Sequence, residues 1–213
     1  MRLLLSPAFG LTLFALLPGC AAISALSGSD PLDVYDLRPA PSLGVASARP
    51  TRDLVIEEPT TRGALATDRI LIRPNPLQAQ YLPDGRWSDE TPALVQTQLV
   101  RAFEDTGALR YVGRRPLGLS GDYALLSEIT DFQAELQPDG RSALVRIRLS
   151  ARLVREADTG ILGARVFEAT ALSASTDTLN IVSAFDTAAA ALVPQIAAWG
   201  LGAMGIAARA PGT

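Results

Sequence analysis

Apolar and polar residues alternate most cleanly from Ser142 to Leu153, where Val145, Ile147, Leu149, Ala151 and Leu153 share one side and Arg146, Arg148 and Arg152 the other. A period of two over that length predicts a half-buried strand. The preceding stretch, Asp122 to Gln137, also alternates, but Tyr123, Leu125 and Ile129 are odd-numbered whereas Phe132, Ala134 and Leu136 are even. One face can stay buried only if an extra residue is accommodated, so a bulge is expected near Thr130-Asp131. Pro138-Asp139-Gly140-Arg141 joins the two runs. Read as a two-residue type I′ loop, it pairs Pro138 with Arg141. That register sets Leu136 by Ala143, Ala134 by Val145, Phe132 by Ile147, Gln133 by Arg146 and Asp131 by Arg148. Asp158-Thr159-Gly160 then turns the chain into a third run, Ile161 to Leu172, which completes a β-meander.

Elsewhere the period is helical. Thr91 is the expected N-cap, with Pro92 at the first helical position and Gly107 as the stop. Val95, Leu99, Ala102 and Phe103 form one apolar stripe, with Gln96, Gln98, Arg101 and Glu104 assigned to the opposite face. A second, Ala-rich helix is expected from Ser183 to about Ala208, with Phe185, Leu192, Ile196, Trp199 and Ala203 on one side. Thr187 to Ala208 carries no charge and is long enough to cross a bilayer. Pro194 and Gln195 interrupt it, however, and its bulky groups share one stripe, so packing on the sheet is expected. Shorter strand signals lie at Val34–Leu37, Asp53–Glu57, Arg69–Arg73 and Leu109–Val112, with a loop or hairpin between Pro74 and Trp87. The resulting fold class is α+β: a mixed, largely antiparallel sheet with a C-terminal β-meander and two main helices packed on it.

The first residues follow another pattern. Met1-Arg2 supplies a minimal positive start, Leu3 to Leu17 an uncharged apolar run too short for a comfortable span, and Leu17-Pro18-Gly19-Cys20 its end. This resembles a bacterial lipobox, in which Leu17, Pro18 and Gly19 are read by the signal peptidase and Cys20 takes diacylglycerol. Pro18 stands where a small Ala or Ser is usual. Residues 1–19 are expected to be a lipoprotein signal peptide and 20–33, small and polar, a lipidated tether. Residues 34–208 then make a single periplasmic domain and 209–213 a tail. Ala21, where an inner-membrane retention signal would carry Asp, resembles the outer-membrane default.

Composition narrows the chemistry. The 213 residues carry 19 basic side chains, all Arg, against 22 acidic ones, and no His. Ser-His-Asp and Cys-His catalysis, imidazole metal sites and lysine Schiff bases are thereby excluded. The net charge of −3 lacks the basic excess of a nucleic-acid binder. Gly118-Leu119-Ser120-Gly121 superficially matches a nucleophile elbow, but Asp122 stands where that motif needs Gly. Asp30, Asp33 and Asp36 lack the glycine and terminal Glu of a calcium loop. Glu57-Glu58 beside Arg62 reads as surface charge. Arg146, Arg148 and Arg152 could form an anion stripe, though a solvated sheet face with cross-strand acids is the simpler reading. Trp87 and Trp199 could anchor a lipid or partner; core packing is the expected role.

The order of features resembles the ABC-type transport auxiliary lipoproteins, the PqiC-like components that accompany MCE-domain lipid transporters. The resemblance rests on the lipobox at Cys20, the strand Tyr35-Asp36-Leu37, and Arg69-Ile70-Leu71-Ile72-Arg73-Pro74. It continues through Tyr81 and Trp87-Ser88-Asp89-Glu90-Thr91-Pro92 before a helix, and ends in the meander and C-terminal helix. It implies a non-enzymatic outer-membrane-anchored auxiliary component that docks an MCE tunnel. The permease and ATPase would be separate chains, the protein a homo-oligomer, and Cys20 the bearer of a covalent lipid in place of any cofactor or metal. The alternatives are an outer-membrane assembly lipoprotein serving lipopolysaccharide or protein insertion, and a lipid-anchored hydrolase.

Overall fold

A computed structural model describes residues 31–43, 51–118 and 120–206. In chain order the elements are β1 (Asp33–Tyr35), β2 (Asp53–Ile56), a 3-10 turn (Gly63–Leu65), β3 (Arg69–Asn75), β4 (Gln78–Trp87), α1 (Thr91–Glu104), β5 (Tyr111–Gly113), β6 (Tyr123–Leu136), β7 (Ala143–Arg155), β8 (Gly160–Ser173) and α2 (Thr178–Ala203). The fold is the expected α+β, with the strands in one mixed sheet.

The sheet is organised around β6. The whole length of β6 pairs antiparallel with β7, and β7 in turn with β8. The other edge of β6 is shared: β2 runs parallel to its first residues, Leu54 opposite Tyr123, and β3 runs parallel to its last, Ile72 opposite Ala134. The bridge between Thr60 and Glu128 fills the gap between them. Beyond β2 lies β5, and beyond β3 lie β4 and then β1.

The change of parity in β6 is accommodated by a bulge between Ile129 and Asp131. It keeps Leu125 and Ile129 on the same buried face as Phe132 and Ala134. All five expected cross-strand pairs are present. The turn that sets them differs from expectation. Type I′ needs positive φ at both central residues, and only Gly140, at 64°, has it. Instead Gly140 donates its N–H to the Gln137 carbonyl at 2.9 Å, while Gln137 N–H reaches the Ser142 carbonyl at 3.0 Å, closing a four-residue loop. The Asp139 carboxylate makes this the favoured solution, because its Oδ1 accepts the N–H groups of Arg141 and Ser142 that a ladder would otherwise use.

Between Pro74 and Trp87 the hairpin alternative holds: β3 and β4 pair antiparallel, with Pro83-Asp84-Gly85 lying within β4 as an irregularity in register. Two further expectations change. Thr91 is not the cap of α1; Glu90 holds that position, and Thr91 donates both its N–H and its hydroxyl to the Thr67 carbonyl. Gln96 and Gln98 are buried, against their assignment to the polar face. Their amides donate to the carbonyls of Ile56 and Leu37 at 2.8 and 2.9 Å, tying α1 to the end of β2 and to the segment after β1. Gly107 does take the left-handed φ of a helix stop, 59°.

Both helices cover one face of the sheet. α2 begins at Thr178, five residues earlier than expected, and is long and apolar enough to cross a bilayer. Its Ile181, Phe185, Ala188, Leu192 and Ile196 are nevertheless buried in the core shared with β7, β8 and α1. Trp87, Phe132 and Phe185 meet at the centre with ring centroids 4.9–5.7 Å apart. Trp87 is fully buried, as expected, and the half-buried Trp199 packs edge-on against Phe167 at 5.5 Å.

Strand direction gives the domain two distinct ends. The β3–β4 turn and the β6–β7 turn share the upper end; the β7–β8 turn, β5 and the end of α2 share the lower. β4 descends from Gln78 to Trp87 and β1 runs parallel to it, Asp33 opposite Gly85 and Tyr35 opposite Trp87. The chain therefore enters β1 from the upper side.

Candidate functional site

At the lower end β2, β5, β6 and β7 converge on an open basin of about 570 Å³ lined by Arg52, Asp53, Arg110, Ser120, Gly121, Asp122, Tyr123, Arg155 and Ala157. Its floor is an ion pair. Arg110 Nε and Nη2 donate to the two carboxylate oxygens of Asp53 at 2.7 and 2.6 Å, a bidentate geometry available to guanidinium but not to ammonium. These bonds hold the Asp53 carboxyl below the usual carboxylate range, against the opposing effect of burial. Asp122 Oδ2 accepts the Asp53 N–H at 2.9 Å, and the Arg52 guanidinium lies 5.9 Å from the Tyr123 ring. The basin thus offers the exposed edges of several arginines over a fixed carboxylate. Such a surface suits a polar protein contact or an anionic group.

The uncovered sheet face carries the arginines read from the alternation of β7. Arg146 bridges two neighbouring strands, with Nε 3.0 Å from Glu135 Oε1 on β6 and Nη1 bonded to Glu168 on β8; Arg148 Nε stands 3.8 Å from Glu168. Arg146 holds the Glu135 carboxyl below its usual range. The stripe is therefore largely neutralised by cross-strand acids, as the simpler sequence reading has it, and each such cross-strand pair adds about 0.2–1 kcal/mol. Below it, Glu57, Glu58, Thr60, Leu126, Glu128, Ser150 and Arg152 border a shallow cleft of about 560 Å³. Arg62 approaches Glu128 at 3.9 Å, and no ion pair joins it to Glu57 or Glu58 among the described residues. The long outer edge of β8, which among the described residues pairs only with β7, bounds this face.

The other motifs are not brought together. Leu17, Pro18, Gly19, Cys20, Ala21 and Asp30 lie outside the described residues, as does Leu119. Gly121 donates its N–H to Glu156 Oε2 at 2.6 Å, which ties the Gly118–Gly121 segment to the β7–β8 turn. Asp36 Oδ1 accepts the N–H of Leu37, its own neighbour. No group of three potential metal ligands forms among the described residues.

Sequence reasoning missed the fastening of the segment after β1. Asp186 on α2 accepts the Arg38 N–H at 2.8 Å and its guanidinium Nε at 2.9 Å, while Gln98 holds the neighbouring Leu37 carbonyl. A lone acid next to Phe185 in an otherwise apolar helix was the available signal: such a carboxylate is retained in a core only when it has partners.

This arrangement of sheet and helices recurs in solved structures. A Xanthomonas campestris protein superposes with a TM-score of 0.70 at 24% identity, covering 81% of this chain and 96% of that one. A second crystal structure, of an uncharacterized protein, gives 0.59 at 16% identity over 79% and 97% of the two chains. In sequence, an uncharacterized Bradyrhizobium diazoefficiens protein is 33% identical over 172 residues, 78% of this chain. The match spans 44% of that relative's length. The profile of the ABC-type transport auxiliary lipoprotein components matches residues 35–197, from β1 to the second half of α2. That span takes in every strand but the first residues of β1, all of α1, most of α2 and the lower basin, and the chain belongs to this family of ABC-type transport auxiliary lipoprotein components.

Proposed function

We propose that the protein is anchored to the outer membrane by a lipid on Cys20 and docks the periplasmic tunnel of an MCE-domain lipid transporter to that membrane, as one copy in a ring. The ABC permease and ATPase are separate partners, and this chain acts by positioning rather than by catalysis. Family membership supplies the transporter. The observation that supports the docking role is the basin itself: β1 starts toward the upper end of the sheet, and the arginine-rimmed basin lies at the opposite, lower end. A polar, partly paired surface in that position is suited to a reversible protein contact.

Photo-crosslinkers at Arg52 and at Arg155 in the intact envelope test this reading. Adducts with the MCE protein, and no added sensitivity to envelope stress when both genes are deleted, are the expected results. Additive defects without any adduct would favour the assembly-lipoprotein alternative.

A further inference from the structure

We propose that the upper end of the domain rests on the bilayer itself, with Leu77 at the tip of the β3–β4 hairpin entering the lipid surface as a second membrane contact. This rests on the reading of Cys20 as acylated. Leu77 is 98% exposed, the most exposed large apolar side chain among the described residues. Its turn is complete without help: Asn75 Oδ1 accepts the Leu77 N–H at 3.1 Å, and Asn75 Nδ2 donates to Gln78 Oε1 at 3.0 Å. The leucine is thus presented outward by a turn whose polar groups are satisfied. A single exposed leucine is ordinary. Leu172 near the end of β8, 66% exposed, adds a second at this end, whereas Leu179 in the first turn of α2, 67% exposed, stands lower, beside Thr178 at the height of Gly85 and Asp33. Arg73 and Arg141 stand at the same end without an ion-pair partner among the described residues, in reach of headgroup phosphates.

The length of the chain before β1 makes the contact feasible. Asp33 lies roughly five residues below the hairpin tip along the sheet, about 17 Å at the rise of a strand. From Cys20 to Asp33 is about 13 residues, which span about 45 Å at full extension and about 20 Å on the random-coil scale. The second figure nearly equals the height of the tip above Asp33. An acyl chain at residue 20 therefore brings the upper end to the membrane without stretching the connection. The diacylglycerol on Cys20 attaches the protein stably but leaves its orientation free, and an apolar tip beside it adds buried area and fixes that orientation.

Cys20 is the one cysteine in the sequence, so Leu77→Cys or Ala157→Cys introduces a single free thiol once Cys20 is acylated. Ala157 is exposed on the β7–β8 turn at the lower end and serves as the control. Full-length acylated protein, verified by mass, is labelled with an environment-sensitive fluorophore and reconstituted into phosphatidylethanolamine–phosphatidylglycerol vesicles. The expected result is blue-shifted emission and quenching by nitroxide-bearing lipid at position 77, and water-like emission at 157. Water-like emission at both positions in mass-verified protein would overturn the proposal and leave the anchor standing. Shielding of position 77 only after the MCE protein is added would overturn it in favour of a protein-docking tip. Absence of the acyl adduct would refute the anchoring reading, and the proposal with it.

Discussion

Truncating Phe132 to alanine removes a 2%-exposed ring from the middle of the core, where it stacks on Phe185 at 4.9 Å and meets the edge of Trp87 at 5.7 Å. A buried Phe→Ala change costs about 3–5 kcal/mol in transfer and cavity terms. With Ala134, Ile147 and the covering α2 all held by long strand and helix ladders, collapse into the gap is hindered, so we expect about 4–5 kcal/mol. For a domain of this size that is roughly 10–15 °C in Tm. Urea unfolding of a chain lacking residues 1–20 should show a lower midpoint with an unchanged slope. Leu126→Ala, on the uncovered face of the same strand, should change stability by about 0.5 kcal/mol or less. The comparison tests the bulge directly, because without the extra residue near Thr130 these two even-numbered positions would share one face and respond alike. A cost below about 1 kcal/mol at Phe132 would refute both the packing and the register argument.

Other outcomes follow from single contacts. Gly200→Ala brings a methyl to 2.8 Å from Phe103 Cζ, and we expect a net loss of about 1–2 kcal/mol, whereas Gly202→Ala meets nothing within 4 Å and should stabilise α2 by a few tenths to about 1 kcal/mol; differential scanning calorimetry separates the two signs. The folded pKa of Asp53 lies below its unfolded value, so its contribution is complete above the ordinary carboxylate range and is lost as pH falls toward the folded value. Asp53→Asn should therefore flatten the stability–pH curve below about pH 4, and an unchanged acid limb would show that the Arg110 pair does not favour the charged form. Cys20→Ala should leave the precursor uncleaved and unlabelled by palmitate analogues; normal processing of that variant would refute the lipoprotein reading.

The meander was the most legible part of the chain, because a period of two over three long runs leaves little freedom. The parity change between Ile129 and Phe132 even located the bulge. The turn chemistry at Asp139 was misjudged because Asp-Gly satisfies two loop lengths that give the same register, and only the carboxylate's bonds to Arg141 and Ser142 choose between them. β4 was hidden by Pro83-Asp84-Gly85, which reads as a turn but interrupts a strand. Gln96 and Gln98 were misplaced for a different reason. Their burial is decided by carbonyls of Ile56 and Leu37, distant in sequence, and helical periodicity carries no information about such partners. The lower basin likewise assembles residues from four separated segments, so no local motif announces it.

The way β1 joins the sheet also sets how the domain resists force. A pull on the chain above Asp33 acts along the axis of β1, and a strand dragged lengthwise loads its rungs against β4 together instead of unzipping them one by one. Three rungs are few. Behind them, however, Gln98 grips the Leu37 carbonyl and Asp186 grips Arg38, so a strand that slips is caught within three residues by a latch on both helices. Tension applied there passes through β4 and β3 into the upper half of β6. The lower basin hangs from β2, β5 and the other half of that strand, off the main line of strain.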